Sequence, residues 1–258
     1  MNFVDKRYWL VGASEGLGLA LARQLASEGV SLVLSARDPD RLSAICAELP
    51  NAQAVPLDVA DDEAVVAAAT KIGAVDGVVF LAGVYWPMRA QGSDYAQLVA
   101  MCDVNFTGCA RVIAAVLPGM VARGHGHLVI TGSLSGFRGL PGALGYAASK
   151  AGVMALAESL YADLRGSGIR VQLANPGFIK TRLTQKNDFE MPFLMQPETA
   201  AARMLRLMKS KAFKSNFPLV FSGLFRLSQF LPDWAYYRIF APKSQNGSDL
   251  QPKNPAHK

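Results

Sequence analysis

The segment Val11-Gly-Ala-Ser-Glu-Gly-Leu-Gly18 decides how this chain folds. It follows the short apolar run Tyr8–Val11 and opens a helical pattern of apolar residues, so the order is strand, glycine turn, helix. Glycines let the backbone approach a pyrophosphate, and the free N–H groups of a helix N-terminus attract phosphates. A lone glycine pattern is often only a tight turn, but in this first-strand context it predicts a dinucleotide-binding unit.

The rest of the chain continues the alternation of apolar runs and helical patterns. Apolar runs predict strands at 31–35, 52–57, 77–81, 127–130 and 169–173, an arrangement typical of parallel strands joined by right-handed crossovers. The composition agrees, since 51% of the residues are hydrophobic and only 18% are charged, as expected of a sheet covered on both faces. We therefore predict an α/β fold of the Rossmann type, a doubly wound parallel sheet in three α/β/α layers with a C-terminal helical extension.

The length of 258 residues suits one well-buried α/β domain. We place this domain at residues 1–242, of which residues 217–242 form an apolar and basic C-terminal extension. The remaining residues, 243–258, are rich in Ser, Asn, Gln and Pro and are predicted to be disordered.

A second motif lies in the middle of the chain. Tyr146 and Lys150 are four residues apart in a helical run, so one helical turn places a phenol beside an ammonium. A neighbouring cation lowers the pKa of a phenol, and such a tyrosine exchanges a proton with a carbonyl or alcohol oxygen near neutral pH. Ser133 precedes the tyrosine by thirteen residues, and Ser135 is the nearest competing serine. This pattern is weak by itself, and it becomes specific together with the glycine turn.

At these spacings the two motifs resemble the short-chain dehydrogenase/reductase family, in its shorter single-domain branch. The resemblance implies that Tyr146 is the general acid in reduction and the general base in oxidation, while Ser133 holds the carbonyl oxygen. Lys150 would bind the nicotinamide ribose and lower the tyrosine pKa. Asn105, in the long helix, would shape that helix and carry a water relay to the lysine.

The resemblance covers residues 6–184 and implies a set of residues that bind a nicotinamide dinucleotide. These residues are Gly12, Ser14, Gly16, Leu17, Gly18, Arg37, Asp58, Val59, Ala82, Gly83, Tyr146, Lys150, Pro176, Gly177, Ile179 and Thr181. For Asp58 the alternative is that it caps the next helix. Two positions depart from the family pattern. Val11 stands where threonine is usual, and Phe80-Leu81 replaces a pair of asparagines, which removes a structural hydrogen bond between neighbouring strands.

The end of the second strand indicates which dinucleotide is bound. NAD-preferring relatives usually carry an acid at the position of Ala36, where it accepts hydrogen bonds from the ribose. Alanine cannot do this, whereas the guanidinium of Arg37 can hold a 2′-phosphate. We therefore predict NADP(H). NAD(H) is the weaker alternative, because Asp38 becomes the ribose acid if the register shifts, and because Glu15 stands at a position that is often basic in NADP users.

Residues 178–197 stand where relatives carry a mobile substrate lid. The segment contains Phe189, Met191, Phe193, Leu194 and Met195, and an apolar lid with methionines suits a small hydrophobic carbonyl or alcohol substrate. Core packing explains the same residues equally well.

Basic charge and aromatic residues coincide near the C-terminus. Residues 199–243 contain eight basic residues and one acid, a charge of +7 in a chain whose total is +6. Basic amphipathic segments with aromatics lie on membrane surfaces, so peripheral membrane contact is one interpretation. Packing of the segment on the fold or on a subunit partner is the other, and it is favoured. The rest of the chain lacks a basic excess, which argues against nucleic acid as a partner.

The remaining features indicate the compartment and the assembly. The cysteines form no Cys-x-x-Cys pair, so free thiols in a reducing compartment are expected, and His125 and His127 are not expected to bind a metal. We see no signal peptide and expect no apolar stretch of membrane-spanning length. We predict a cytoplasmic homodimer or homotetramer, with peripheral contact at the inner face of a membrane as the alternative location.

The sequence thus predicts an NADP(H)-dependent oxidoreductase that interconverts a ketone or aldehyde and an alcohol on a hydrophobic, lipid-like substrate. The alternative is a non-catalytic dinucleotide-binding regulator or scaffold on the same fold. Such a protein would be expected to lack one of the four catalytic residues, and all four are present: Asn105, Ser133, Tyr146 and Lys150.

Overall fold

Strands and helices alternate along the chain in the computed structural model, which describes residues 3–187 and 190–240. The strands are β1 (Arg7–Val11), β2 (Ser31–Ser35), β3 (Ala52–Ala54), β4 (Gly77–Phe80), β5 (Gly126–Thr131), β6 (Ile169–Pro176) and β7 (Lys214–Phe217). The helices are α1 (Gly16–Ser27), α2 (Pro39–Glu48), α3 (Asp62–Ile72), α4 (Tyr95–Cys102), α5 (Gly108–Arg123), α6 (Leu144–Asp163), α7 (Pro197–Lys209), α8 (Leu219–Ser228) and α9 (Asp233–Phe240).

The seven strands form one parallel sheet in the order β3-β2-β1-β4-β5-β6-β7. The chain starts at the centre with β1, moves outward to β3, and then returns across β1 to build the other half. The order therefore reverses between β1 and β4, and the carboxyl ends of these strands flank a crevice where such sheets bind ligands. The predicted doubly wound fold is confirmed.

Helices cover both faces of the sheet, each over its own apolar core. One core lies under α1, α2 and α7 and includes Leu10, Leu21 and Met204. The other lies under α3, α5 and α6 and includes Trp9 and Val112. Trp9 and Leu10 are neighbours on β1 and point to opposite faces, because side chains alternate along a strand. Both faces are thus apolar, as the high hydrophobic fraction of the sequence predicted.

A π-helical segment, Asp103–Thr107, joins α4 to α5, so Tyr95–Arg123 is one long helix. By length and composition alone this helix is apolar enough to cross a membrane, with a mean hydropathy of 1.5 in a window of which 33% is buried. The expectation that no stretch reaches such a length was therefore wrong. A helix that covers a sheet passes the same test, and Met101, Cys109 and Val112 are buried in this fold.

Polar side chains of β1, β5 and β6 meet toward the amino edge of the sheet. The Tyr8 hydroxyl lies 2.7 Å from His127 Nδ1, and His127 Nε2 lies 2.9 Å from Gln172 Oε1. Gln172 Nε2 donates to the carbonyl oxygens of Leu207 and Ala212 at 2.9 and 2.7 Å. We call Tyr8, His127 and Gln172 the amino-edge network, and all three side chains are buried.

The C-terminal helices α8 and α9 are attached to the loop that follows β5. Arg138 Nη1 donates to the carbonyl oxygens of Ser228 and Leu231 at 2.9 and 2.8 Å, and Arg138 Nη2 lies 2.5 Å from Asp233 Oδ1. The guanidinium also stacks 4.0 Å from the centroid of the Tyr236 ring. One arginine therefore fixes both helices to the body of the fold, which agrees with the packing interpretation for their inner side.

Some of the sequence predictions fall outside the described residues. These are Phe189 of the lid, residues 241–242 of the predicted domain, and the predicted disordered tail 243–258.

Candidate active site

The glycine turn between β1 and α1 shapes the crevice at the carboxyl edge of the sheet. Gly12 has φ +95° and Gly16 has φ +53°, a region that residues with a side chain rarely adopt. A Cβ on Gly12 would lie 2.5 Å from the Ala82 backbone nitrogen, and a Cβ on Gly18 would clash with the Gly12 carbonyl oxygen. The backbone itself therefore forms the wall of the crevice at this point.

The first turn of α1 leaves its N–H groups available. Glu15 stands at the N-cap position with extended backbone, and no side chain among the described residues caps this end of the helix. Unpaired N–H groups and the helix dipole attract anions, so the turn fits the pyrophosphate of a dinucleotide.

A cleft of about 590 Å³ runs along this edge of the sheet. Every residue that the sequence predicted to bind the cofactor lines it, including Tyr146 and Lys150: Gly12, Ser14, Gly16, Leu17, Gly18, Arg37, Asp58, Val59, Ala82, Gly83, Pro176, Gly177, Ile179 and Thr181. The other two predicted catalytic residues, Ser133 and Asn105, are not among the lining residues, but they contact residues near Tyr146 and Lys150. The cleft thus joins the glycine turn to the tyrosine–lysine pair in one continuous space.

Helix α6 carries Tyr146 and Lys150 one turn apart, as predicted. Lys150 Nζ lies 5.8 Å from the centroid of the Tyr146 ring and donates to the Thr131 carbonyl oxygen at 2.9 Å. The edge of the Tyr85 ring packs against Tyr146 with centroids 5.0 Å apart. The phenol is therefore held between an aromatic wall and a buried ammonium.

The expected low pKa of the tyrosine is not found. Burial raises the pKa of Tyr146 to about 12, with hydrogen bonding to Ser133 lowering it and Tyr85 raising it further. Burial also lowers the pKa of Lys150 to about 8. The sequence argument considered the neighbouring cation and not the loss of water around both groups, and that loss is the larger effect here.

The two serines that competed in the sequence analysis are hydrogen-bonded to each other. Ser133 Oγ lies 2.8 Å from Ser135 Oγ and accepts from the Ser135 backbone N–H at 3.2 Å. Ser133 is the one whose hydroxyl interacts with Tyr146. Of the two serines, Ser133 is therefore the one beside Tyr146, and Ser135 supports it.

Asn105 lies in the π-helical segment and is fully buried. Its Oδ1 accepts from the Val84 backbone N–H at 2.7 Å, while its Nδ2 donates to the Val84 carbonyl oxygen and to Ser149 Oγ, each at 3.0 Å. The side chain thus ties the loop after β4 to the catalytic helix α6. This loop carries Phe80-Leu81 in place of the family's asparagines, and Leu81 still donates its backbone N–H to the Val11 carbonyl at 2.8 Å.

At the far end of the cleft, Asp38 has a structural role. It caps α2, its Oδ1 accepting from the Arg41 backbone N–H at 3.0 Å. Val11 pairs with Ser35, so β2 ends immediately before Ala36 and leaves Arg37 exposed at the cleft. The register shift that would make Asp38 the ribose acid is therefore not found. Sequence analysis also proposed a helix cap for Asp58, but Asp61 is the N-cap of α3.

Sequence analysis missed two arginines in this part of the cleft. Glu15 Oε2 lies 3.3 Å from Arg41 Nη1, and Glu15 Oε1 lies 3.0 Å from Arg182 Nη2. The acid that seemed unfavourable for a 2′-phosphate is thus paired with two cations. These contacts join the glycine turn to α2 and to the loop after β6, so only the folded structure reveals them.

The ends of the predicted lid are pinned together by backbone hydrogen bonds. Lys180 donates its N–H to the Met195 carbonyl at 2.8 Å, and Met195 donates to the Phe178 carbonyl at 2.9 Å. Met195 is buried in the core, whereas Phe193 and Leu194 are exposed. Core packing therefore explains Met195, whereas the exposed Phe193 and Leu194 remain available to a ligand.

Comparison with known proteins places these features in a family. The family model for the short chain dehydrogenase matches residues 6–191. An uncharacterized oxidoreductase from Myxococcus xanthus (strain DK1622) is 39% identical over 232 residues, which cover 87% of this chain and 92% of that protein.

Two solved structures are similar to the fold. A 3-oxoacyl-acyl-carrier-protein reductase with bound NAD from Brucella melitensis has a TM-score of 0.75 at 26% identity, covering 84% of this chain and 90% of its own. A short chain dehydrogenase from Burkholderia cenocepacia J2315 in complex with NADP has a TM-score of 0.83 over 93% of this chain and 99% of its own. The second is 21% identical, so its likeness shows the fold alone.

Proposed function

The chain belongs to the short-chain dehydrogenase/reductase family, and we propose that it is an NADP(H)-dependent oxidoreductase acting on a hydrophobic ketone or aldehyde and the corresponding alcohol. The family makes it an oxidoreductase acting on CH–OH groups with a nicotinamide dinucleotide. The observation that carries the proposal is the single cleft that joins the glycine turn to Tyr146 and Lys150.

We propose the following roles for the chain's own groups. A nicotinamide dinucleotide, when bound, supplies the hydride in reduction and accepts it in oxidation. In reduction, the Tyr146 hydroxyl donates its proton to the carbonyl oxygen, and Ser133 holds that oxygen in place. Lys150 Nζ stabilises the phenolate left behind and binds the nicotinamide ribose. Asn105 positions α6 through its bond to Ser149.

The pKa values give the protonation states from which a reduction would start. Burial raises the pKa of Tyr146 to about 12, so the phenol carries its proton near neutral pH. Lys150, with a pKa lowered to about 8, loses its charge as the pH rises above that value. The reductive rate should therefore fall on the alkaline side as the ammonium is lost.

The arginines around Glu15 support NADP(H) over NAD(H). Ala36 offers no acceptor to the ribose, Arg37 is exposed at the cleft, and Arg41 approaches the same region from α2. Glu15 is already paired with Arg41 and Arg182, which reduces its repulsion of a 2′-phosphate. The known structures that resemble this fold include one with NAD and one with NADP, so the choice between them depends on these residues.

Aromatic and apolar side chains near the proton donor support a hydrophobic substrate. Tyr85 packs edge-on against Tyr146, and Lys186 Nζ lies 4.4 Å from the centroid of the Trp86 ring. Phe193 of the lid packs on Phe221 of α8 with centroids 5.7 Å apart. An apolar chain attached to the reacting carbonyl would contact these side chains where it extends out of the cleft.

The test is turnover of ketones of increasing chain length with NADPH and with NADH. We expect activity to rise with chain length and NADPH to be preferred. Arg37→Ala should raise the KM for NADPH roughly tenfold and leave the KM for NADH unchanged, because one charged hydrogen-bonding contact contributes roughly 1.5–3 kcal/mol. Arg23→Ala, which removes an exposed arginine of α1 that pairs with Glu48, is the matched control. An unchanged NADPH/NADH ratio in Arg37→Ala would reject Arg37 as the 2′-phosphate reader.

We further propose that the enzyme is a cytoplasmic homodimer or homotetramer. Exposed apolar residues on the long helix, among them Tyr95, Val99 and Val121, support subunit contact. Light scattering of the purified protein would measure the oligomeric state, and a monomer at micromolar concentration would contradict this part of the proposal.

A further inference from the structure

Helix α8 buries two serines on its inner side and exposes several apolar side chains on its outer side. Ser222 and Ser228 face the fold and are each 4% exposed, whereas Val220, Leu224 and Leu227 are 68%, 58% and 67% exposed. These three outer residues follow the i, i+4, i+7 spacing of one helix face. The inner hydroxyls need no water, because each donates to a carbonyl oxygen of its own helix. A helix whose outer side faces water has polar side chains on that side and apolar side chains inside.

Helix α9 and the turn before it continue the same outer surface. Phe230 is 86% exposed, Trp234 is 73% exposed and Ile239 is 63% exposed. The inner sides of the two helices are closed by their own ring contacts, such as Phe225 with Phe240 and Tyr236 with Phe240. The exposed residues therefore form a separate surface, which we call the outer face: Leu219, Val220, Leu224, Leu227, Phe230, Trp234, Tyr237 and Ile239.

The charges on this surface favour an anionic lipid bilayer over a second copy of the chain. Arg226 and Arg238 are exposed, whereas Asp233, the sole acid among residues 219–240, is bound by Arg138. Two outer faces in contact would therefore bring basic groups together with no free acid from the segment to neutralise them. A bilayer supplies phosphates to the arginines, an apolar interior to the leucines, and an interfacial zone that aromatic side chains prefer.

One aromatic ring connects the outer face to the substrate lid and the cleft. Phe221 of α8 packs on Phe178 and on Phe193, each with centroids 5.7 Å apart, and on Phe225 at 5.0 Å. A Cβ on Gly177, which lines the cleft, would lie 3.1 Å from the Phe221 ring. A movement of α8 on docking would therefore displace Phe178 and Phe193, which belong to the lid.

We infer that the outer face of α8 and α9 docks on an anionic bilayer, and that Phe221 couples this docking to the lid so that an apolar substrate reaches the cleft from the membrane. The coupling rests on the proposed function, whereas the docking does not. The docked helices lie in the interface plane, since α8 and α9 are too short to span a bilayer.

The docking is tested with the full-length protein and vesicles of phosphatidylcholine with or without phosphatidylglycerol, by co-sedimentation. We expect binding to the anionic vesicles that weakens with salt, and a loss of about fivefold in affinity for Arg226→Gln. Val220→Glu should weaken binding roughly tenfold, because it removes apolar burial and adds a negative charge. Val66→Glu is the matched control, since Val66 on α3 is 61% exposed and should leave binding unchanged.

Two results would overturn the docking. One is full-length protein that stays in the supernatant with anionic vesicles at low salt. The other is a Val220→Glu variant that binds vesicles normally but has a smaller mass by light scattering, which would assign the outer face to a second copy of the chain.

The coupling is tested by turnover. Anionic vesicles should stimulate reduction of a long-chain ketone several-fold and leave reduction of a short, water-soluble ketone unchanged. Phe221→Leu should keep vesicle binding and lose the stimulation. Equal stimulation of both ketones, or full stimulation in Phe221→Leu, would reject the coupling. Binding without turnover of any carbonyl would refute the proposed function alone, and turnover without binding would refute the docking alone.

Discussion

The buried polar groups at the two edges of the sheet differ in how completely they are hydrogen-bonded. At the amino edge, Tyr8, His127 and Gln172 are bonded to one another and to backbone carbonyls. At the carboxyl edge, the buried oxygens Thr131 Oγ1 and Asn175 Oδ1 have no hydrogen-bond partner among the described residues. These two oxygens stand toward the carboxyl ends of β5 and β6, the strands that also carry His127 and Gln172 of the amino-edge network.

The difference indicates that the amino edge stabilises the fold, while the carboxyl edge leaves polar groups available to a ligand. A buried polar group that is left without a partner costs about 1–3 kcal/mol, so a saturated network stabilises the fold, while an unsaturated one is retained where a ligand completes it. Changes at the amino edge should therefore alter the free energy of unfolding and spare the cofactor. Changes at the carboxyl edge should alter turnover or cofactor binding and leave the free energy of unfolding nearly unchanged.

The largest expected effect is at the carboxyl edge. Tyr146→Phe removes the proton donor and should lower kcat roughly a thousandfold, since general acid catalysis contributes about 10²–10⁴-fold. NADPH affinity should stay within about twofold, and the free energy of unfolding should change little, because Tyr146 lines the cleft and its hydroxyl bonds, among the residues that the structure describes, only to Ser133. Stopped-flow turnover measures kcat, and fluorescence titration measures the affinity for NADPH. Tyr161→Phe, a half-exposed tyrosine stacked on Phe213, is the control, and substantial turnover by Tyr146→Phe would show that another group supplies the proton.

The next effect is at the amino edge. Gln172→Leu removes the partner of His127 Nε2 and the side-chain donor to the Ala212 carbonyl, while the Leu207 carbonyl keeps its bonds from Ser210. The free energy of unfolding should fall by about 3 kcal/mol, at a cost of about 1–3 kcal/mol for each unsatisfied group. The KM for NADPH should not change.

Urea unfolding measures this loss, and Gln53→Leu supplies the matched control. Gln53 makes its contact with Arg7 at the exposed surface, so its replacement should cost little. If Gln172→Leu kept the wild-type stability but lost cofactor affinity, the division between the two edges would be refuted.

The smallest expected effect is a pH dependence that separates the edges without changing catalytic residues. Burial lowers the pKa of His127 to about 4, against an ordinary value of about 6.5. Below pH 6.5 the imidazole of His127 is protonated in the unfolded chain but stays neutral in the folded chain. The free energy of unfolding is therefore highest above pH 6.5 and decreases as the pH falls toward 4. At pH 5 the loss is about 2 kcal/mol. His127→Gln should unfold with a flatter pH profile between 7 and 5, and an identical slope in both proteins would assign the acid sensitivity elsewhere.

Local motifs account for the parts that the sequence predicted well. The glycine turn and the Tyr146–Lys150 pair each depend on residues only a few positions apart, so their geometry follows from helix and turn rules. The fold class and the family followed from the order of these motifs, and both were confirmed.

The features that sequence reasoning missed depend on distant residues. Tyr8 and His127 are 119 positions apart, and Arg41 meets Glu15 across 26 positions. The pKa of Tyr146 was predicted in the wrong direction because burial is a property of the assembled fold. Composition showed the apolar residues of α8, but it did not reveal that they point outward.

The attachment of α8 and α9 through Arg138 has a consequence for the order in which the chain matures. The bonds from Arg138 to Ser228 and Leu231 close loops of 90 and 93 residues, so they form only after the C-terminal helices leave the ribosome. By then the strands and turns that line the nucleotide cleft, through Thr184, are already synthesised. A nascent chain would thus become able to hold its dinucleotide before the loop beside Ser133 is fixed. Ligand binding would then stabilise the unfinished protein by mass action while its substrate side is still being made.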